Sequence, residues 1–156
     1  MIKLMKILGI DYGEKRIGLA VSDESQTLAR ELDILAPKDF FKELPSIIAD
    51  NQISQIVLGW PLNMEGKMTE KTKEVESFKL EIQGLTFIPV EVFDERLSSS
   101  MTKNLPGGHE KKDSLAAQII LQNYLNKNKH NPNDMNSIQI SQKQISDNSD
   151  PPAKAY

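Results

Sequence analysis

The chain has 156 residues, 38% of them hydrophobic and 26% charged, with a formal net charge of −3 and no cysteine. That length suits one domain with a core of its own. Lack of cysteine excludes disulfides, thiolate zinc sites and cysteine nucleophiles, and it fits the reducing cytoplasm where the protein is expected to reside. The net acidity argues against a broad, nonspecific nucleic-acid surface. Because the deficit lies in residues 1–128, any such contact has to come from local clusters such as Lys15 with Arg16 and Lys111 with Lys112.

The opening MIKLMKILGI is too short an apolar run for a signal peptide, and it leads into Asp11 without a small-residue cleavage pattern. No window approaches the ~18 apolar residues of a membrane span, so no membrane contact is expected. MKILGI (5–10) instead reads as a buried strand ending at Asp11. Tyr12 and Gly13 supply a turn, and RIGLAVSD (16–23) alternates as the second arm of a hairpin. TLARELDIL (27–35) completes an antiparallel meander.

DFFKELPSIIADN (39–51) is a helix whose regular part is expected to start close to Pro45, since proline inside a helix removes a hydrogen bond. QIVLGW (55–60) reads as a buried strand stopped by Pro61. MTEKTKEVESFKLEIQ (68–83) is an amphipathic helix with Val75, Phe78 and Ile82 on one face and Thr69 as its cap. FIPVEVF (87–93) is a further strand, followed at once by Asp94, Glu95 and Arg96. KDSLAAQIILQNYL (112–125) is the strongest helix, with Leu115, Ile119 and Leu125 or their neighbours inward. From Asn126 the chain turns rich in Asn, Ser, Gln, Asp and Pro, which cannot bury enough surface to offset ordering entropy. The expected division is therefore a domain over 1–125 and a disordered tail over 126–156. The order β-β-β-α-β-α-β-(short α)-α indicates an α/β fold: a mixed five-stranded sheet, three antiparallel strands leading and parallel strands following, with helices on both faces.

Three acidic positions stand out. Asp11 ends the first strand, Glu95 follows the fifth, and Asp113 opens the last helix. Ligands of open α/β sheets gather at the carboxyl ends of strands, so Asp11 and Glu95 are expected to converge there. Three hard oxygen ligands without Cys or His suit Mg²⁺ or Mn²⁺ rather than zinc. Two such ions about 4 Å apart activate a water and stabilise the leaving oxygen of a phosphodiester. Each residue also has a plain structural reading: a turn former for Asp11, a helix cap for Asp113, a solvated charged pair for Asp94 and Glu95.

The blocks DYGEKRIGLAVSD, IVLGWPLNMEGK, VFDERLSS and KKDSLAAQIILQNYL occur in that order across residues 11–125. Together they resemble the YqgF family of pre-16S ribosomal RNA nucleases, also described as Holliday-junction-resolvase-like. The resemblance implies a ribonuclease-H-like fold and a metal-dependent endonuclease that matures the 5′ end of small-subunit ribosomal RNA. Its acidic positions fall on Asp11, Glu95 and Asp113, with Asp94 and Glu95 interchangeable as the second carboxylate. Structured precursor RNA is the substrate it favours, with branched DNA as the alternative; the oligomeric state is open between monomer and homodimer.

Around this centre, Gly13 and Gly18 are expected to allow a tight turn and close backbone approach. Lys15, Arg16, Lys111 and Lys112 are expected to meet phosphate, Arg with a bidentate fork. Asn63 and Lys67 lie in a loop that substrate would pass, and Arg96 is expected to pair with an acidic neighbour or a phosphate. Trp60 is read as packing rather than base stacking, and Ser98, Ser99 and Ser100 as caps rather than nucleophiles. The connection SMTKNLPGGHEKK (100–112) is shorter and richer in glycine than the resemblance leads one to expect, which bears on affinity and substrate choice.

Two other functions compete. A phosphotransferase of the actin and sugar-kinase type also places Asp-x-Gly on a hairpin, but it needs two facing domains and about 125 folded residues supply one. A nucleic-acid-binding or ribosome-assembly protein with little catalysis fits the net acidity.

Overall fold

The computed structural model describes residues 5–97 and 109–129, with the side chains of all of these except 97, 109–114 and 129. Five strands are present: β1 (Lys6–Asp11), β2 (Ile17–Ser22), β3 (Ala29–Leu35), β4 (Ile53–Trp60) and β5 (Val90–Asp94). Three α-helices, α1 (Pro37–Asn51), α2 (Glu70–Leu85) and α3 (His109–Lys129), and a single 3-10 turn, Glu95–Leu97, complete the described elements. The sheet order is β3-β2-β1-β4-β5. β1 pairs antiparallel with β2 and β2 with β3, whereas β4 lies parallel to β1 and β5 parallel to β4. The mixed sheet and its leading meander are those expected from the sequence.

Strand alternation sorts the core into two layers. Leu8, Ile10, Leu19, Val21, Ile56 and Leu58 face α1 and α2, meeting Phe40, Leu44, Val75, Phe78 and Ile82. Ile7, Ala20, Val57 and Phe93 face α3, meeting Ala117, Ile120, Leu121, Tyr124 and Leu125. The inward stripe of α3 is therefore carried by Leu125 and by the neighbours of Leu115 and Ile119. These two are half-buried. Gly9 lets α3 lie close to β1, since a β-carbon there would sit 2.8 Å from Leu121 Cβ and 3.3 Å from the Ala117 carbonyl.

Three elements differ most from their expected bounds. α1 starts at Pro37 and runs through Pro45. Pro37 occupies the first turn, where a missing N–H costs nothing, while Pro45 inside the helix costs about 3 kcal/mol. Phe40 and Leu44 are buried on its amino-terminal side, and burying each contributes roughly 1.5–3 kcal/mol, enough to hold the first turns helical. β5 begins at Val90, not Phe87, which is fully exposed. Pro89 cannot donate to a ladder and suits only the strand's start; its carbonyl accepts from Ile56 N at 2.9 Å. α3 begins at His109 and extends to Lys129, so the first residues assigned to the tail continue the helix. Residues 130–156, with the rest of the expected tail, lie outside the described residues.

α2 matches its sequence signals. Thr69 and Thr72 form a reciprocal capping box, with Thr69 N donating to Thr72 Oγ1 at 2.9 Å and Thr72 N to Thr69 Oγ1 at 3.4 Å. The buried Thr72 hydroxyl also donates to the Pro61 carbonyl, tying the start of α2 to the end of β4. No helix among the described residues is long and apolar enough to cross a membrane.

Candidate functional site

β1 and β4 run parallel, so their carboxyl ends lie side by side. Asp11 closes β1 and follows Gly9 by two residues, which places it on the α3 face by alternation. β5 ends at Asp94 beside Trp60, and the 3-10 turn that follows begins with Glu95. Glu95 folds back over Gly59: a β-carbon on that glycine would lie 2.5 Å from Glu95 Oε1 and 3.1 Å from its Cγ. There it hydrogen-bonds Asp11. Burial pushes the Glu95 carboxyl above its ordinary value, with the Asp11 hydrogen bond and the Lys71 ammonium opposing and Asp94 adding to the rise.

Asp94 has a different task. Its carboxylate accepts from Arg96 N at 3.0 Å, from Nε at 2.9 and 3.1 Å and from Nη2 at 2.6 Å. The Arg96 side chain above all holds it below the usual aspartate range, against a smaller effect of burial. Its guanidinium lies against Gly66, whose positive φ of 80° suits glycine in the β4–α2 loop. Asp94 and Glu95 are thus adjacent in sequence but engaged with different partners.

α3 approaches the same end of the sheet. Gln55 on β4 donates to Tyr124 Oη at 2.8 Å, while Gly59, further along β4, meets Ile120. The helix therefore runs antiparallel to β4, with its amino-terminal turns toward the carboxyl strand ends. Asp113 lies four residues, about 6 Å, ahead of Ala117, which touches Gly9. Asp11 lies two residues, about 7 Å, beyond Gly9, so the backbone of Asp113 is level with Asp11. The side chains of Lys111, Lys112 and Asp113 lie outside the described residues, as do Ser98, Ser99, Ser100 and the connection as far as 108. Among the described residues no three His, Cys, Asp or Glu side chains form a metal-binding group.

The other expected positions divide by what they touch. Lys15 and Arg16 are exposed on the turn after Asp11. Gly13 is required in that turn, because a β-carbon would collide with the Arg16 carbonyl. Gly18 pairs opposite Asp11 across β1 and β2. Asn63 organises its own loop, its Oδ1 accepting from Glu65 N and Lys67 N, each at 2.9 Å. Lys67 is exposed and 3.8 Å from Glu65. Trp60 packs against the α1–α2 core, as the packing reading expects.

Two contributors escaped the sequence reading. Gly59 stands inside a strand, where nothing local distinguishes it from a weak strand residue. Lys71, on the first turn of α2, places Nζ 5.2 Å from the centre of the Tyr12 ring and acts on Glu95. Its position in TEKTK gives no sign of either contact.

Among solved structures, the RuvC of T. thermophilus in complex with Holliday junction substrate is similar to this chain at a TM-score of 0.52 and 15% identity, covering 80% of this chain and 95% of that one. The likeness and the sheet order define a ribonuclease-H-like domain. In sequence, a candidate pre-16S rRNA nuclease of Dictyoglomus turgidum is 37% identical over 132 residues, covering 78% of this chain and 94% of that protein. A protein with the same name from Syntrophomonas wolfei is 40% identical over 132 residues, with 78% and 94% covered. The family model described as RuvX, Holliday junction resolvase, matches residues 5–127, and the chain belongs to that family. It is a family of enzymes that hydrolyse phosphodiester bonds.

Proposed function

We propose that the protein is a divalent-metal-dependent endonuclease that trims the 5′ end of precursor 16S ribosomal RNA, with Asp11, Glu95 and Asp113 as its metal-binding carboxylates. The observation that carries the reading is the Asp11–Glu95 hydrogen bond at the carboxyl ends of β1 and β5. Two carboxylates this close hold a proton between them or require a cation. A cation between them neutralises both without protonation, and an all-oxygen donor set suits Mg²⁺ or Mn²⁺. Asp113 is the third carboxylate in this reading, supported by the backbone of α3 standing level with Asp11 there, and three carboxylates suit a pair of ions. When bound, such ions supply an activated water and charge neutralisation for the phosphodiester.

The chain's own residues then bind and orient. Lys15 and Arg16 on the turn after Asp11, with Lys111 and Lys112 just before Asp113 in the sequence, are in this reading the cations that meet phosphates flanking the carboxylates. Arg96, clamped by Asp94, braces the loop at Gly66 past which substrate would run. The names of the relatives favour precursor ribosomal RNA, whereas the family description favours branched DNA as the second substrate.

The test compares cleavage of precursor ribosomal RNA and of a four-way DNA junction with Mg²⁺ and with Mn²⁺. Asp11→Asn is expected to abolish metal-dependent cleavage while circular dichroism and the unfolding temperature show an intact fold. Equal activity in the variant, or none in the wild type on either substrate, would sink the reading and leave a binding or assembly role.

A further inference from the structure

A groove lies on the opposite face of the sheet. Tyr12 follows Asp11 directly, so alternation turns its ring to the α1–α2 face, where it packs 4.6 Å from Phe78. Phe41 of α1 lies 5.5 Å from the same Phe78 ring. These aromatic walls, with Ser77, Glu74 and Glu81, line an open groove of about 290 Å³. Glu74, Ser77, Phe78 and Glu81 recur at the spacing of one helix face, so α2 presents a stripe with carboxylates at each end and an aromatic floor between.

The lining has one sign of charge. Glu74 and Glu81, the charged side chains that line the groove, are both carboxylates. Neither Glu74 nor Glu81 has an ion-pair or hydrogen-bond partner among the described residues. Lys71 stands over the Tyr12 ring, and the two carboxylates of the lining outnumber it. A nucleic-acid strand brings phosphates, which this surface repels. A flat cation with an apolar stem is attracted twice, by aromatic walls and by carboxylates that accept its N–H groups.

We infer that the Tyr12–Phe41–Glu74–Glu81 groove is a docking site for an arginine side chain of a basic protein partner. Guanidinium matches it better than ammonium, because it stacks flat against aromatic rings and forks onto a carboxylate. The site faces away from Asp11 and Glu95, so a docked protein leaves the carboxylate pair open to its own substrate. Partner binding and cleavage are thus assigned to opposite faces of one sheet.

The probe is an acetylated Gly-Arg-Gly-Arg-Gly-Arg peptide titrated into the full-length, ¹⁵N-labelled chain, beside the same peptide with citrulline for arginine. The arginine peptide is expected to shift the amide resonances of Tyr12, Phe41 and Ser77 in a saturable way, and the citrulline peptide to leave them in place. Glu74→Gln with Glu81→Gln, both on exposed positions, is expected to weaken binding at least tenfold with an unchanged unfolding temperature. Cleavage of naked RNA by that double variant is expected to match the wild type. The proposal is overturned by absence of shifts at those amides, by equal binding of the citrulline peptide, or by unchanged affinity in the double variant. It is also overturned if guanosine monophosphate occupies the groove more tightly than the peptide, which would make it a nucleobase pocket. The binding readout needs no cleavage, so loss of the nuclease reading would leave this result standing.

Discussion

Glu95 occupies the space that a side chain on Gly59 would fill, with its Oε1 2.5 Å from the position of a β-carbon there. The same β-carbon would sit 2.8 Å from Ile120 Cδ1 on α3. One glycine in β4 therefore admits both the Glu95 carboxylate and the helix that carries Asp113. Gly59→Ala is expected to push Glu95 off Asp11 and lift α3, at a cost of about 1–3 kcal/mol in stability. Cleavage should fall more steeply than stability does. Denaturant unfolding and single-turnover rates measured on one preparation check this, and a variant with native cleavage would show that Glu95 has another way in.

The different partners of Asp94 and Glu95 predict different effects of their substitution. Glu95→Gln is expected to remove metal-dependent cleavage, as a lost ligand would. Asp94→Asn leaves Glu95 against Asp11 but weakens the grip on Arg96, so it should reduce cleavage on the order of tenfold, about 1.4 kcal/mol. That loss should appear mainly in KM, because the affected group braces the loop at Gly66. Reversal of the two severities would exchange their roles.

Metal binding offers a readout apart from catalysis. A cation that binds only the folded chain stabilises it by about 1.4 kcal/mol at tenfold excess over Kd. Mg²⁺ or Mn²⁺ should raise the unfolding temperature of the wild type by several degrees, whereas Ca²⁺-free buffer with chelator should not. Asp11→Asn should lose that rise. A metal-induced shift of equal size in the variant would place the cation elsewhere.

Asp23 contributes to the acid side of stability. Its carboxylate accepts from Thr27 N at 2.7 Å, Leu28 N at 3.2 Å and Ser25 Oγ at 3.0 Å, closing the β2–β3 turn. These bonds, the Thr27 amide foremost, hold it below its ordinary 3.8 despite a contrary effect of burial. A carboxyl depressed in the folded state stabilises above its unfolded pKa and loses that contribution as pH falls through the folded value. The wild type should therefore exceed Asp23→Asn in stability at pH 7, and the gap should narrow below about pH 4. Urea titrations at both pH values measure it; a constant gap would remove the ionised carboxylate from the explanation.

Thr72 links a helix start to a strand end. Thr72→Val keeps the shape but loses the hydroxyl that accepts from Thr69 N and donates to the Pro61 carbonyl. The expected cost is about 1–2 kcal/mol, with a raised KM from loosening of the β4–α2 loop. Thr72→Ser should restore most of both. Failure of serine to rescue would assign the effect to packing of the methyl group.

Much of this architecture was readable along the chain because its determinants are local. The short apolar run MKILGI and the pattern of RIGLAVSD set two strands, and Thr69 before an apolar stripe set the start of α2. The acidic end of β1, the four ordered motifs and the family they indicate needed no coordinates either. Pro45 was misread because a local cost of about 3 kcal/mol was weighed without the burial of Phe40 and Leu44 that opposes it. Three features depended on contacts between distant segments. The division of labour between Asp94 and Glu95 follows from where Arg96 and Gly59 lie, not from their order in the sequence. The reach of Lys71 to Tyr12 and Glu95 joins α2 to the segments that follow β1 and β5, and the acidic groove joins α1, α2 and the turn after β1. By itself the sequence determined the elements, the family and the acidic end of β1, because periodicity, caps and motifs act between near neighbours. Only the tertiary structure decided that Glu95 turns inward over Gly59 while Asp94 turns to Arg96, because close approach between separate strands is a property of their packing.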